Sequence, residues 1–503
     1  MTIGRAAIIG AGLSGLAAGC YARMNDHQVT IFEQLGWEGG LARSWDREGF
    51  RMDPGPELIW GHAPGTGTHD LLRELGVLPG RGIPPLRRWE VSDEKGARKV
   101  NLCDTPDELE SQLKQIAPED NDHIEDLIDA ISMIDAVELL DSIEAMPSDF
   151  GGLGSNLAER WKSRKYQRYL RGPWSAPMSQ WSGRLHDPFL RRAMCSISSV
   201  DTPAWLIPSI LSLATKGQLG RVDGGSDGLV HDLSVRFRRL GGEIELRSTV
   251  GGIMAEGGRV KGVSLADARE SPADAVISAS DGRQTIYGLL GGRFVDDEVD
   301  RRYRDWKPST PRVSISIGVG DAIDGLPPMQ TVLLDEPISV GTVPNFMMRL
   351  RGFTSEGGYS PPGKSLIAAT FESDWQFWYK LRALDRRMYE EEKARIGQIA
   401  LGLLERIYPG MSGKAELVEV STPFTAWKAT QSCEGAPCGW SLTTETLSAR
   451  PMRTIAGLKG LYIAGPWAAP VLGVTGCLFS GKHAVQTMCR ERERPFKAMA
   501  PLN

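Results

Sequence analysis

The sequence predicts an α/β protein organised on a parallel sheet, and three observations carry that prediction. Residues 6–33 read as strand, glycine turn, helix and strand. A second helix over 224–240 leads through strand-like text to the apolar run Ala275-Val276-Ile277. A third block, Gly460-Leu461-Tyr462-Ile463-Ala464-Gly465, precedes a final helix. Strands separated by helices of this length belong to βαβ units, in which the strands lie parallel.

The first unit is the most specific. Ala6-Ala7-Ile8-Ile9 runs into Gly10, Gly12 and Gly15, and Val29-Thr30-Ile31-Phe32 then stops at Glu33. In a G-x-G-x-x-G turn of this kind Gly10 lets the chain leave the strand sharply. Gly12 lets backbone N–H groups approach a pyrophosphate, and Gly15 lets the helix pack close to the sheet. Leu13 and Ser14 open that helix, whose unpaired N–H groups and dipole favour phosphate. Glu33, 23 residues beyond Gly10, can accept hydrogen bonds from both ribose hydroxyls and would repel a 2′-phosphate. The dinucleotide expected here is FAD or NAD, not NADP.

Glu38-Gly39-Gly40-Leu41-Ala42-Arg43 follows, and then Gly49-Phe50-Arg51-Met52-Asp53-Pro54-Gly55-Pro56. Gly39 and Gly40 allow a second close backbone approach. Arg43 is a phosphate partner or an ordinary surface arginine. In order and spacing these segments resemble the family of FAD-dependent oxidoreductases that holds phytoene desaturases, carotenoid isomerases, retinol saturases and amine oxidases. The resemblance implies FAD as cofactor, with Gly40, Leu41, Ala42 and Arg43 at its diphosphate and Gly55 and Pro56 running toward the flavin. The arginine is displaced from the family's usual place directly after the glycine pair.

Two further blocks extend the likeness. Leu229, Leu233, Phe237 and Leu240 share one face of the second helix, and Gly241 is a natural stop. A strand, Val250 and a hairpin about Gly257-Gly258 follow. The resemblance implies that Val250 meets the adenine through its backbone. It also implies that Gly465 contacts the cofactor, and that Val474, Thr475 and Gly476 open a helix aimed at the flavin's pyrimidine edge, whose dipole suits negative charge there. Pro466 has no N–H to donate, so contacts at that turn must differ from the family's. Segments 378–410 and 422–440 resemble the carotenoid-isomerase branch.

At 503 residues the chain is too long for a single core. The expected organisation is a discontinuous Rossmann-like FAD-binding domain, formed by residues 1–75, 215–290 and 440–503, with an inserted α+β substrate domain from 76–214 and 291–439. Within the latter, residues 104–145 read helical and acidic from Asp104-Thr105-Pro106-Asp107 onward, and Val313-Ser314-Ile315-Ser316-Ile317 alternates as a half-buried strand does.

A net charge of −5 gives no electrostatic case for nucleic acid. Seven cysteines without a tight framework read as reduced thiols of a cytoplasmic protein. Cys433 and Cys438 lack the companions a metal site needs, so no metal is expected. The first apolar run follows no basic region and carries the nucleotide motif, which is not the pattern of a signal peptide. No apolar run reaches the roughly 20 residues that span a bilayer. A patch within Leu326–Leu350, including Pro327, Met329, Phe346, Met347 and Met348, is the candidate for peripheral membrane contact, the alternative being ordinary core.

Flavin chemistry moves a hydride to or from carbon and needs a proton carrier from the protein. Glu57, after the Gly55-Pro56 turn, is a candidate carrier or a plain ion-paired carboxylate. Lys428, beside Trp427 in text matching the family's substrate-side strand, is a candidate neighbour of the flavin or a surface lysine. His62 and His186 have no diagnostic surroundings. Trp174, Trp181, Trp205, Trp375 and Trp378 are core residues or line a cavity for a bulky substrate. The expected activity is desaturation, saturation or isomerisation of a bulky, largely apolar small molecule. Oxidation of an amine or amino-acid-derived substrate is the alternative. A non-catalytic lipid-escort role would not require the intact Gly10, Gly12, Gly15 and Glu33.

Overall fold

The computed structural model describes residues 4–53, 55, 58–136, 138, 169, 171–469 and 473–499. Its first sheet has five strands in the order Leu461–Ile463, Ala275–Ser278, Arg5–Ile9, Gln28–Phe32 and Glu243–Glu245, with every neighbour parallel. Ile8 stands level with Ile31 on one side and Ile277 on the other, and all three are fully buried. Cover on both faces is why these strands are almost wholly apolar. Helices Leu13–Met24, Gly225–Arg239 and Gly473–Glu491 pack on one face. On the other lies a smaller antiparallel sheet built on the hairpin Val250–Glu256 and Arg259–Leu265. Gly257 and Gly258, with φ of 57° and 69°, form its turn, which requires left-handed backbone at both positions. The Gly225–Arg239 helix buries Leu229, Leu233 and Phe237 and ends at Gly241, where the Gly242 N–H returns to the Phe237 carbonyl.

The second sheet has seven strands in the order Ala415–Ser421, Arg312–Val319, Ser365–Glu372, Val343–Thr354, Met329–Val340, Trp89–Asp93 and Lys99–Asn101. All pair antiparallel except Met329–Val340 with Trp89–Asp93. Val313, Ile315, Ile317, Leu350 and Ala369 pack with Ile396, Ala400 and Leu404 of the helix Arg386–Ile407. Residues alternating with them, among them Ser314, Arg349 and Thr370, line a cavity on the opposite face. The alternation read at 313–317 is therefore real, but of its polar residues Ser314 faces a cavity and Ser316 is buried.

Residues 106–133 form two helices. Pro106–Ile116 starts from a capping box between Thr105 and Glu108, and Pro118 separates it from Asn121–Met133. Residues 139–145 of that expected helix lie outside the described residues. The 378–410 stretch is helical as well, split into Trp375–Leu384 and Arg386–Ile407, which Asp374 and Asp385 cap.

The expected membrane patch is mostly interior. Met348 and Leu350 are core, Pro327 is buried, and Met329 and Met347 pack inward, which leaves Phe346 as its large exposed apolar side chain at 54%. Among the described residues no helix is long and apolar enough to cross a membrane.

Candidate functional site

Two cavities meet between the sheets. The smaller, about 240 Å³, lies over the carboxyl ends of the parallel strands, where open α/β sheets present their ligand crevice. Gly10, Gly12, Leu13, Ser14, Glu33, Gly40, Leu41, Ala42 and Val250 all line it. Gly10 turns off the strand at φ 96°. A Cβ on Gly15 would lie 1.9 Å from the Gly10 carbonyl oxygen, whereas one on Gly12 would meet nothing within 4 Å. The first glycine of that pair is a packing contact and the second faces open space. No side chain caps the helix that starts at Leu13, so its first N–H groups are available to an anion. Gly39 donates to the Ala11 carbonyl and holds the second glycine turn beside the first.

Glu33 is buried at the strand end, with Oε2 accepting the Ala11 N–H at 2.8 Å and Oε1 accepting the Leu35 N–H at 2.9 Å. Burial pushes its carboxyl above the ordinary value, opposed by N–H groups of Leu35, Ala11 and Gln34. These bonds orient the carboxylate at the cleft wall. Pro466, at the turn singled out in the sequence, lines the cleft, and so do Ser248, Thr249, Asp281, Gln284 and Trp467, which the sequence does not flag. Asp281 accepts the N–H groups of Gln284 and Cys433 at 2.9 and 2.8 Å, and burial raises its carboxyl too. An uncapped helix start, an open glycine and a buried acid together suit a dinucleotide such as FAD.

The larger cavity, about 530 Å³, shares Gly40, Leu41, Ala429 and Pro437 with the cleft. One wall is apolar and includes Trp37, Trp45, Trp60, Trp89, Ile210 and Leu219. The seven-stranded sheet supplies a polar floor, with Ser314, Thr331, Thr370 and Ser421 beside Arg312, Arg349 and Arg351. Among the described residues no aspartate or glutamate lines this cavity.

Several expected site residues fall elsewhere. Arg43 lines the larger cavity, with its guanidinium 3.8 Å over the Trp37 ring, and is absent from the nucleotide cleft's lining. Gly55 lines the larger cavity and donates to Asp53 Oδ1, while Pro56 and Glu57 lie outside the described residues. Gly465 donates its N–H to Ser480 Oγ at 2.7 Å and lines neither cavity. Of Val474, Thr475 and Gly476, only Val474 lines one of these two cavities. The Thr475 hydroxyl oxygen instead accepts the Trp60 N–H at 3.1 Å and ties the last helix to the strand Ile59–Trp60.

Lys428 lies on a helix, Pro423–Thr430, and not on a strand, because the Thr422–Thr425 capping box and Pro423 start a helix there. Thr422, Thr425, Ala426 and Ala429 face the larger cavity from that helix, so Lys428 is turned away and exposed. Trp174, Trp181 and Trp378 are core, and Trp205 and Trp375 line neither cavity. His186 pairs with Asp120 at 2.9 Å away from both cavities, and His62 lines neither.

The parallel sheet carries a dinucleotide cleft that opens into a second cavity floored by another sheet, the arrangement of a nucleotide-binding protein with a separate chamber for a second ligand. The comparisons narrow the class. Residues 13–285 match the family model of flavin containing amine oxidoreductases, and the chain belongs to that family. It is 23% identical to the lycopene-forming phytoene desaturase of Paracoccus sp., over 96% of this chain and 97% of the relative. It is also 23% identical to the chloroplastic prolycopene isomerase of Arabidopsis thaliana, over 97% of this chain and 82% of that one. Among solved structures it resembles an oxidoreductase from Methanosarcina mazei, with TM-score 0.62 and 18% identity over 96% and 100% of the two chains. Putrescine oxidase bound to putrescine superposes with TM-score 0.62 at 15% identity, over 97% and 100%. The protein is a flavin-dependent oxidoreductase, and its cofactor is FAD.

Proposed function

We propose that FAD lies along the smaller cleft, with its ribose at Glu33, its pyrophosphate at Gly12, Leu13 and Ser14, its adenine beside Val250 and its ring system reaching the larger cavity past Gly40 and Leu41. When bound, the flavin supplies a hydride acceptor or donor. The substrate is then a bulky, largely apolar small molecule in the larger cavity, and the reaction changes the saturation or geometry of a carbon–carbon bond. The observation that carries this reading is the junction at Gly40, Leu41, Ala429 and Pro437, where the cleft opens onto a tryptophan-rich wall. Relatives that act on carotenoids support the same substrate class.

In this reading the chain's own residues bind, orient and exclude water. The Thr422–Thr425 cap fixes the helix whose Thr425, Ala426 and Ala429 wall the cavity. Trp60 donates its N–H to the Thr475 hydroxyl, so one aromatic wall is tied to the helix whose Gly473 and Val474 line the same cavity. Oxidation of an amine, as the putrescine oxidase likeness suggests, is the second reading. The cavity lining opposes it, since a cationic amine would meet arginines and, among the described residues, no carboxylate. A substrate drawn from a bilayer would entail peripheral lipid contact, which liposome flotation tests.

Anaerobic flavin absorbance decides between the two readings. Mixing the FAD-loaded protein with lipophilic polyenes is expected to change flavin redox state or polyene geometry, while amines leave both unchanged. Amine-driven bleaching with inert polyenes would overturn the proposal.

A further inference from the structure

The floor of the larger cavity carries a pattern that an apolar substrate does not need. Pairing register places Thr331, Arg349, Thr370, Ser314 and Ser421 side by side across five strands. All five line the cavity, so a guanidinium stands in a row of four hydroxyls. Arg312, two residues before Ser314 on the same strand face, adds a second cation to that floor.

Among the described residues, Arg349 and Arg312 outnumber the acid beside them. Arg349 Nη1 reaches Glu372 Oε1 at 3.4 Å, and its other guanidinium donors have no partner among the described residues. Arg312 is exposed at the cavity's edge and stands opposite Glu372 in the strand pairing, so two guanidinium groups share that one acid. Glu372 is the nearby acid, with its side chain 38% exposed, and it does not line the cavity. Burial and the neighbouring Arg312 both pull the Arg349 guanidinium below its ordinary value. A cation enclosed as Arg349 is, with a second cation at the cavity's edge, is costly unless an anion joins it, and a guanidinium fork flanked by hydroxyls matches an oxyanion.

We propose that the substrate is amphipathic, with its apolar body against the tryptophan wall and a carboxylate gripped by Arg349 and Arg312 with the hydroxyls of Thr331, Thr370 and Ser314. This rests on the larger cavity being the substrate site, and it sharpens that reading from an apolar molecule to an apolar acid. Arg349 then sets specificity and orientation, since an anion fixed on the floor determines which carbons face the junction at Gly40 and Leu41.

The test uses the FAD-loaded protein and matched probes: decanoate, phenylacetate and all-trans retinoate, each against its methyl ester, with geranylgeranyl diphosphate as a phosphate probe. Binding is read by tryptophan fluorescence and by perturbation of the flavin spectrum. At least one carboxylate is expected to bind tenfold or more tightly than its ester. Arg349→Met and Arg312→Met are each expected to reduce that preference at least fivefold with FAD content unchanged, and Arg349→Lys to restore part of it. Thr370→Val tests the hydroxyl row with less disturbance of charge and is expected to cost twofold to fivefold. Three results would overturn the proposal: esters that bind as well as acids, no binding by any carboxylate, or a preference that survives both arginine variants. Tighter binding of the diphosphate than of every carboxylate would also overturn it, by replacing the carboxylate with a phosphate. Loss of FAD from the arginine variants would assign these residues to the cofactor instead. Failure of the protein to hold FAD at all would strike the functional reading itself, which is a separate result.

Discussion

The nucleotide cleft and the larger cavity are built from different materials. The part of the cleft built by the first 42 residues is mainly backbone: a glycine turn, an uncapped helix start and a second glycine pair, with Glu33 held by two N–H groups. The cavity is mainly side chains, brought from positions as distant as Trp37, Trp89, Ile210, Arg349 and Ser421. A backbone-built site must keep its turn geometry, so it tolerates little change and serves one ligand. A site assembled from side chains on a rigid sheet can change its chemistry without moving the scaffold.

Substitutions can break that contrast, and the largest effect is expected at Gly15. A Cβ there would press 1.9 Å from backbone oxygen that cannot move aside. Gly15→Ala is expected to lose about 3 kcal/mol of stability by overpacking, read as a lower midpoint in denaturant. An unchanged midpoint would mean that helix and strand are less tightly fitted than described.

Glu33 comes next. Glu33→Ala should weaken FAD binding by about 1–3 kcal/mol through loss of charged hydrogen bonds, measured by titrating apoprotein with FAD. Acidity sharpens the point. Burial raises this carboxyl above 4.5, so the folded chain takes up the proton more readily than the unfolded chain. Its contribution to stability is therefore complete below 4.5 and fades as pH rises through the raised value. Cofactor binding runs the other way, because the ionised carboxylate is the better acceptor. FAD affinity should fall as pH drops through the raised value, and Glu33→Gln should flatten that dependence. A flat wild-type profile would remove Glu33 from the ribose.

The smallest effect belongs to Lys428. Exposed on the outer side of its helix, it should tolerate Lys428→Ala within about 0.5 kcal/mol of stability and with unchanged rates of flavin reduction. A large loss of rate would return it to the reaction.

The same contrast explains how much could be read from the sequence. Gly10, Gly12, Gly15 and Glu33 are readable because their spacing is local: Gly10 answers a turn at φ 96°, Gly15 a close packing contact, and Gly12 the open space of the cleft. The parallel strand Ala275–Ser278 was readable because strands buried on both faces are continuously apolar. The arginine floor left only a faint trace. Val313-Ser314-Ile315-Ser316-Ile317 showed its period of two, but nothing local says whether the polar face meets solvent or a cavity. Arg349 becomes meaningful only when pairing places it beside Thr370 and Thr331. For Lys428 the family resemblance implies a strand, whereas a capping box and a proline start a helix. The bond from the Trp60 N–H to the Thr475 hydroxyl oxygen left no trace in the sequence, because it joins residues 415 positions apart.

Gly12 offers the most direct test of the central claim, that the cleft is a backbone cradle for FAD. Its backbone, at φ −74° and ψ −179°, suits any residue, and a side chain there meets nothing within 4 Å. Gly12→Val should therefore fold as well as the parent while filling the space a pyrophosphate needs. The measurement is FAD content per chain beside the melting temperature of the two apoproteins. The cradle predicts a full complement of FAD in the parent, none in the variant, and equal melting temperatures. A variant that purifies with its full FAD would contradict it.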